Sequence, residues 1–369
     1  MQASSTQGGG SSKFAVGPFD AADGQISLGK RSLFFKGLDD FIGPPNPNVR
    51  EAMHHEHCTS QDSTLFFTAI NYQTRTTPRC EWYFVVDPTP AGLKKSRITE
   101  SGDGQHPLEW PKEGKPPLPD KVNGAMPPGS PTKQRRNGRT LADAVPGPRQ
   151  PNEMIDFEVD LNIKNGLLRD IGEEPMTWDE FIGSRLYTGP MFQKYNWVLR
   201  CIGNLRVEQP SSIITESEIE KKLSEDKVAA TKGNVYTTTL HVINSACIKL
   251  GKLTSAAKVY RGIYGRSLPL KMHQADHYNV KGGVEFGFMS ATLDRRVAIQ
   301  YASSKRDNAA ILFEMQMGMI DRGADLSWLS QYPHEREVLF APLSALEVLT
   351  QHVEGQVCVV SIRLSVNLQ

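Results

Sequence analysis

The sequence predicts an α+β protein, on three observations. Helical apolar spacing dominates from about residue 175 to 253, short alternating apolar stretches dominate from about 257 to 366, and no internal repeat links the two halves. A helical half followed by a strand-rich half suggests α+β.

The elements follow in chain order. Residues 1–13 are rich in Ser, Gly and Gln and read as a disordered tail. Residues 14–100 read as a small N-terminal α+β accessory module, with a helical patch in "LFFKGLDDFIG" and strand-like stretches in "STLFFTAINY" and "CEWYFVVDP". Residues 101–152 are crowded with Pro, Gly and charge and lack an apolar period, which predicts a linker. Residues 153–369 form the main domain. Thr177 followed by Glu180 is a capping-box pattern, and Met191, Tyr195, Val198 and Leu199 share one helical face. "TESEIEKKLSED" reads as a solvated helix and "VYTTTLHVINSACIKLGKL" as another, despite its β-branched residues. Strands are expected in "AKVYRGIYG", "GVEFGFMSAT", "AAILFEMQM", "EREVLFAPL", "ALEVLTQHV" and "GQVCVVSIRLSV". Among them "DRRVAIQYASSK" predicts one helix, capped by Asp294 and burying Val297, Ala298, Tyr301 and Ala302.

Charge and composition narrow the function classes. The chain has 369 residues, 42 basic against 41 acidic, and a net charge of +1, so nothing global favours nucleic acid or an anionic membrane. No signal-peptide core or membrane-length apolar run occurs, and the expectation is an intracellular, cytoplasmic protein. Five scattered cysteines without CxxC spacing suggest reduced thiols and no cysteine zinc site.

The chemistry-bearing residues lie in the second half. In "QYPHEREVLF", Glu335 and Glu337 are expected on one face of a strand, with Cα atoms about 6.5–7 Å apart and Arg336 facing away. Two acids so placed can bracket a reacting centre, although Glu-x-Glu is also common on solvated strand edges. Arg261 ends an apolar strand and suits bidentate phosphate recognition, or a structural ion pair. Gly262 follows, and its missing Cβ would let a ligand approach the backbone. Ser290 and Thr292 leave the next strand on one face, able to fix a carboxylate or a ligand, with Arg295 and Arg296 adding charge nearby. An ordinary Ser/Thr-rich strand end remains the alternative there.

Together, Arg261 in "VYRGI", Ser290 in "FMSAT" and Glu335/Glu337 in "YPHEREVLF" resemble the R-S-E signature of the arginine-specific mono-ADP-ribosyltransferases. "YTGPMFQKYNWVLR" is similar to that family's Tyr…Asn-x-x-Leu-Arg helix, and the resemblance covers about residues 175–366. It implies two packed, twisted β-sheets with N-terminal helices and NAD, as substrate, in the cleft between them. By the same resemblance, Arg261 grips the phosphates and Gly262 offers backbone to nicotinamide. Ser290 holds Glu337, which bonds the nicotinamide ribose and stabilises an oxocarbenium-like transition state. Glu335 orients and deprotonates the acceptor guanidinium, and Tyr332 matches the acceptor-recognition aromatic. Thr292 and Arg295 join the expected cofactor contacts. Phe288 does so as a candidate to stack on nicotinamide, along with Phe286 and Tyr301. The family's Ser-Thr-Ser appears here as Ser290-Ala291-Thr292, with the altered middle side chain expected to point away.

The implied activity is ADP-ribose transfer from NAD to arginine of an acceptor protein, with no metal, nucleic acid or membrane. The alternatives are an NAD glycohydrolase and an inactive NAD-binding or interaction module. Two further clusters invite a metal reading, "HHEHC" (His54, His55, His57, Cys58) and "HQADH" (His273, Asp276, His277). Adjacent residues rarely converge on one ion, and the second lies in an expected surface loop.

Overall fold

The computed structural model describes residues 37–60, 67–68, 75–76, 81–82, 85–86, 156–208, 231, 233–263, 268–277, 279–302 and 310–366. The expected tail, the linker and the "TESEIEKKLSED" helix lie outside these residues. The N-terminal helices are α1 (Leu38–Ile42) and α2 (Val49–His54), which continues as a π-helical turn, His55–Thr59. A two-strand ladder, β1 (Phe67–Thr68) with β2 (Arg75–Thr76), follows. Then come α3 (Asp156–Asp170), α4 (Trp178–Leu186), a π-helical turn Tyr187–Met191, α5 (Phe192–Glu208) and α6 (Thr237–Leu253). No helix among the described residues is long and apolar enough to cross a membrane.

The strands are β3 (Lys258–Ile263), β4 (Gly282–Glu285), β5 (Met289–Thr292), β6 (Ala310–Gln316), β7 (Ala324–Asp325), β8 (Glu337–Phe340), β9 (Ser344–Glu354) and β10 (Val357–Val366). Helix α7 (Arg295–Ala302) lies between β5 and β6 in sequence. The α+β reading holds, with the helical half first and the strands second. All eight strands form one ladder, ordered β4-β9-β10-β6-β3-β5-β8-β7. Yet β3 and β5 are joined by one residue pair, Tyr260 with Thr292. That junction divides the ladder into a five-stranded and a three-stranded leaf. Val259, Met289, Phe313, Met315, Val338, Phe340 and Val360, drawn from both leaves, form one apolar cluster. The two packed sheets implied by the resemblance are these leaves.

Local signals explain much of the helical half. Thr177 caps α4 by accepting from the Glu180 N–H at 3.2 Å, while the Glu180 carboxylate accepts from the Thr177 N–H at 2.7 Å. Met191, Tyr195, Val198 and Leu199 are fully buried, as their spacing predicts. Asp294 caps α7 through the Arg296 N–H at 2.9 Å. In α7, however, only Ala298 and Ala302 are buried, and Tyr301 is 41% exposed.

The N-terminal segment departs from the expected separate module. Leu38, Phe41, Met53, Trp82 and Val85 belong to the same apolar core as α3–α6 and as Ala324 to Leu343. The described residues of "CEWYFVVDP" are helical rather than extended, since Trp82 and Val85, three apart, both turn into that core. In "HHEHC", His57 is fully buried, with its ring nitrogens 2.6 Å from the Met53 carbonyl and 2.7 Å from the Tyr195 hydroxyl. Glu56 caps α6, whose own cap residue, Tyr236, is left-handed and makes no side-chain cap. Its carboxylate accepts from the N–H groups of Thr238 (2.8 Å) and Thr239 (3.0 Å) and from the Thr239 hydroxyl. Glu56→Ala is therefore expected to destabilise the fold by about 1–2 kcal/mol, read as a lower urea midpoint with an unchanged slope.

Candidate active site

The site gathers where β3 and β5 part. Arg261, on β3, sends its Nη1 to the Ser290 carbonyl of β5 at 2.6 Å. One guanidinium arm thus ties the two leaves together at the point where only one backbone pair does so. On the same strand the Ser290 hydroxyl hydrogen-bonds the carboxyl of Glu337, the first residue of β8. Arg261, Ser290 and Glu337 converge from three strands, β3, β5 and β8.

Electrostatics set the state of that group. Burial pushes the Glu337 carboxyl up to about 8, and the nearby charge of Glu335 adds to the rise. The Ser290 hydrogen bond and the Arg261 charge act in the opposite direction. The Arg261 guanidinium is itself lowered, chiefly by burial, with Arg200 adding to this and Glu285, Tyr187 and Glu337 opposing it.

The loop from β4 to β5 is held by α5 and the turn before it. Arg200 donates to both carboxylate oxygens of Glu285, at 2.9 and 3.1 Å, and Glu285 also accepts from the Gly287 N–H. Here the carboxyl is held below its usual range by Arg200, although burial opposes the shift. Asn196 Oδ1 accepts from the Phe288 N–H at 2.8 Å, and its Nδ2 donates to the Tyr187 hydroxyl at 3.0 Å. Tyr187 in turn reaches the Phe288 carbonyl at 3.5 Å. Asn196 and Arg200, one helical turn apart, fix the two ends of the segment Glu285–Phe288, which leads directly to Ser290. Sequence reasoning missed Glu285. Its signal was a lone acid in the apolar stretch "VEFGF", opposite a helix with Asn and Arg at i, i+4.

Several expected placements are corrected. Glu335 and Glu337 do not share a strand face. Pro333 starts a 3-10 turn that ends at Glu335, Arg336 is left-handed (φ 48°), and the strand begins only at Glu337. Glu335 instead accepts a hydrogen bond from the Tyr301 hydroxyl of α7 at 2.5 Å, and burial raises its carboxyl. The missing Cβ of Gly262 makes room for α7 and not for a ligand, since a Cβ there would strike the Ala298 carbonyl oxygen. Thr292 spends its hydroxyl on the chain, donating to the Glu335 carbonyl at 2.6 Å and accepting from the Asp294 N–H at 3.0 Å.

Arg295 pairs with Glu314 at 3.0 Å and Glu354 at 2.5 Å, which directs it away from the Arg261 group. Glu314 pairs in register with Tyr260, whose side chain faces opposite to that of Arg261. Phe288 is fully buried, edge-on to Tyr187 at 5.3 Å, and Phe286 is buried against Phe41. Of the three aromatics considered for stacking, Tyr301 alone is exposed, and it stands beside Glu335. Tyr332 is 7% exposed, so its ring packs inward while Glu335, three residues on, is half-buried.

Comparisons with known proteins give one family match and several distant structural likenesses. Residues 214–365 match the family model "NAD:arginine ADP-ribosyltransferase". No curated protein sequence matches the chain. Among solved structures, the chain is similar to the ADP-ribosyltransferase HopU1 of Pseudomonas syringae pv. Tomato DC3000, at 22% identity over 48% of this chain and 66% of that one, with a TM-score of 0.33. It is also similar to Vis toxin, an ADP-ribosyltransferase from Vibrio splendidus, at 19% identity over 59% and 88%, with a TM-score of 0.37. The family match, and not these distant likenesses, bears on the site. The stretch that matches the family model NAD:arginine ADP-ribosyltransferase, residues 214–365, contains Arg261, Ser290 and Glu337.

Proposed function

We propose that this site binds NAD and transfers its ADP-ribosyl group to the guanidinium of an arginine on an acceptor protein, releasing nicotinamide. One observation carries the reading. Glu337 is buried, bonded by the Ser290 hydroxyl and close to the Arg261 guanidinium, within the matched domain. In the reaction the bond from ribose C1′ to nicotinamide N1 breaks, and its electron pair leaves with the nicotinamide. The positive charge that develops on the ribose is opposed by the Glu337 carboxylate in a water-poor cleft. Arg261 supplies the cation for the diphosphate, with Arg200 behind it. A guanidinium nitrogen of the acceptor then bonds C1′, and Glu335 takes the released proton.

The corrected placements shape the roles. Thr292 supports Glu335 through its backbone, and Tyr301 faces the same carboxylate, which makes Tyr301 the aromatic nearest the acceptor side. Arg295 and Phe288 serve the fold rather than NAD. Gly262 keeps α7 close enough for Tyr301 to reach Glu335.

The test is incubation of the chain with NAD and arginine methyl ester, following nicotinamide release and the mass of the ester. Release coupled to a gain of one ADP-ribosyl group on the ester is the expected result. Release without the adduct would mean that water is the acceptor, and no release would refute NAD cleavage. A pH profile adds an independent check. Glu337 must be ionised to act, and burial raises its carboxyl to about 8 in the free protein. kcat/KM for NAD is therefore expected to climb with pH to a plateau above about 8, rather than to level off near pH 5 as an ordinary Glu would dictate.

A further inference from the structure

The segment that ends in Glu335 is gripped from an unexpected direction. Gln331 is 2% exposed, and its Nε2 donates to Glu81 Oε1 at 2.6 Å and to the Arg185 carbonyl at 2.9 Å. Its N–H donates to Thr188 Oγ1 at 3.1 Å, and Arg185 Nη1 donates to the Leu329 carbonyl at 2.6 Å. Glu81, 250 residues away in sequence, is itself 5% exposed. Gly189 is what leaves space for the contact, since a Cβ there would strike both Glu81 Oε1 and Gln331 Nε2. Burial lifts the Glu81 carboxyl to about 7, against the Gln331 hydrogen bond and the Arg185 charge. The next residue, Trp82, packs on His57, whose ring bonds Tyr195 of α5.

A buried carboxyl is costly to keep where nothing needs it. Here it acts on the side-chain amide of Gln331, at the start of the segment Gln331–Glu335. From there the chain continues through Tyr332, whose carbonyl accepts the Glu335 N–H at 3.1 Å, to the acid that faces Tyr301. The grip therefore acts on the acceptor side of the site and leaves Ser290 and Arg261 to their own strands.

We infer that Glu81 is a positioning residue for the acceptor side: from the N-terminal segment it straps Gln331, so that Glu335 is held in place to receive a guanidino acceptor. This rests on the proposed transferase reading. Loss of the strap should loosen Glu335 without disturbing the NAD-cleaving group, so transfer should suffer while hydrolysis survives.

The experiment uses the full chain and three variants. Glu81→Ala is expected to raise KM for arginine methyl ester about tenfold, with KM for NAD and the rate of acceptor-free hydrolysis within about twofold of wild type. Glu81→Gln, which keeps an oxygen able to accept from Gln331, should restore most of the acceptor KM. Should Glu81→Ala fail to fold, the double variant Glu81→Leu/Gln331→Leu replaces the buried polar pair by apolar groups, a change the fold should tolerate, and should show the same split. Amide hydrogen exchange of Tyr332–Glu335, faster in Glu81→Ala and in the double variant but near wild type in Glu81→Gln, and unchanged in α5 throughout, reads the strap without using activity. Equal loss of hydrolysis and transfer, or no change in either, overturns the inference. If wild type itself releases no nicotinamide, the proposed function fails, and the exchange result alone decides on the strap: unchanged exchange at Tyr332–Glu335 overturns it.

Discussion

Glu337→Gln is expected to lower nicotinamide release from NAD by about 10²–10³-fold while making the protein more stable at alkaline pH. The rate effect follows from removing the carboxylate bonded by Ser290 beside Arg261, the group that opposes the charge developing on ribose. The stability effect follows from linkage. Glu337 binds its proton more tightly folded than unfolded, because burial raises its carboxyl from 4.5 to about 8. Its favourable contribution is thus complete below about pH 4.5 and is lost as pH rises through about 8. Gln keeps the shape and cannot ionise, so the variant should melt higher than wild type at pH 9 and almost with it at pH 4.5. A thermal melt series at the two pH values checks this. Lower stability of the variant at pH 9 would mean that the buried carboxylate is better compensated than Ser290 and Arg261 suggest.

Glu335→Gln should separate the two half-reactions. Transfer to arginine methyl ester is expected to fall by about 10²-fold or more, because the guanidinium loses both its orienting charge and its base. Hydrolysis of NAD in the absence of acceptor should fall only severalfold, since Glu337 and Ser290 are left in place. Nicotinamide release and adduct formation, measured on the same samples, give the ratio directly. Parallel loss of both would contradict the division of labour between the two acids.

What could be read from the sequence depended on how local each determinant was. The Thr177–Glu180 box, the Asp294 cap and the apolar spacing of α5 are set within a few residues, and all three are present in the structure. The strands carrying Arg261, Ser290 and Glu337 were legible from alternation, and the motif order linked them. Long-range partners left no periodicity to read. The Arg200–Glu285 pair spans 85 residues and the Glu81–Gln331 contact 250.

Propensity was overridden where packing decided. The β-branched and aromatic "CEWYFVVDP" is helical in its described residues, because Trp82 and Val85 fill the core shared with α3–α6. The Glu-x-Glu reading failed at one residue, Arg336, whose left-handed backbone turns Glu335 out of the strand. Pro333, two residues before Glu335, was the available warning, since it favours a turn over continued extension. Strand β7 has two residues, too few for any alternation to register.

Those readings meet at Glu337, and the most direct measurement of the account is nicotinamide release from NAD at pH 8.5, with wild type and Glu337→Gln compared at equal concentration and confirmed folding. The account predicts steady release by the wild-type chain and a loss of about 10²–10³-fold in the variant. Equal release by the two proteins, or none by wild type, would contradict it.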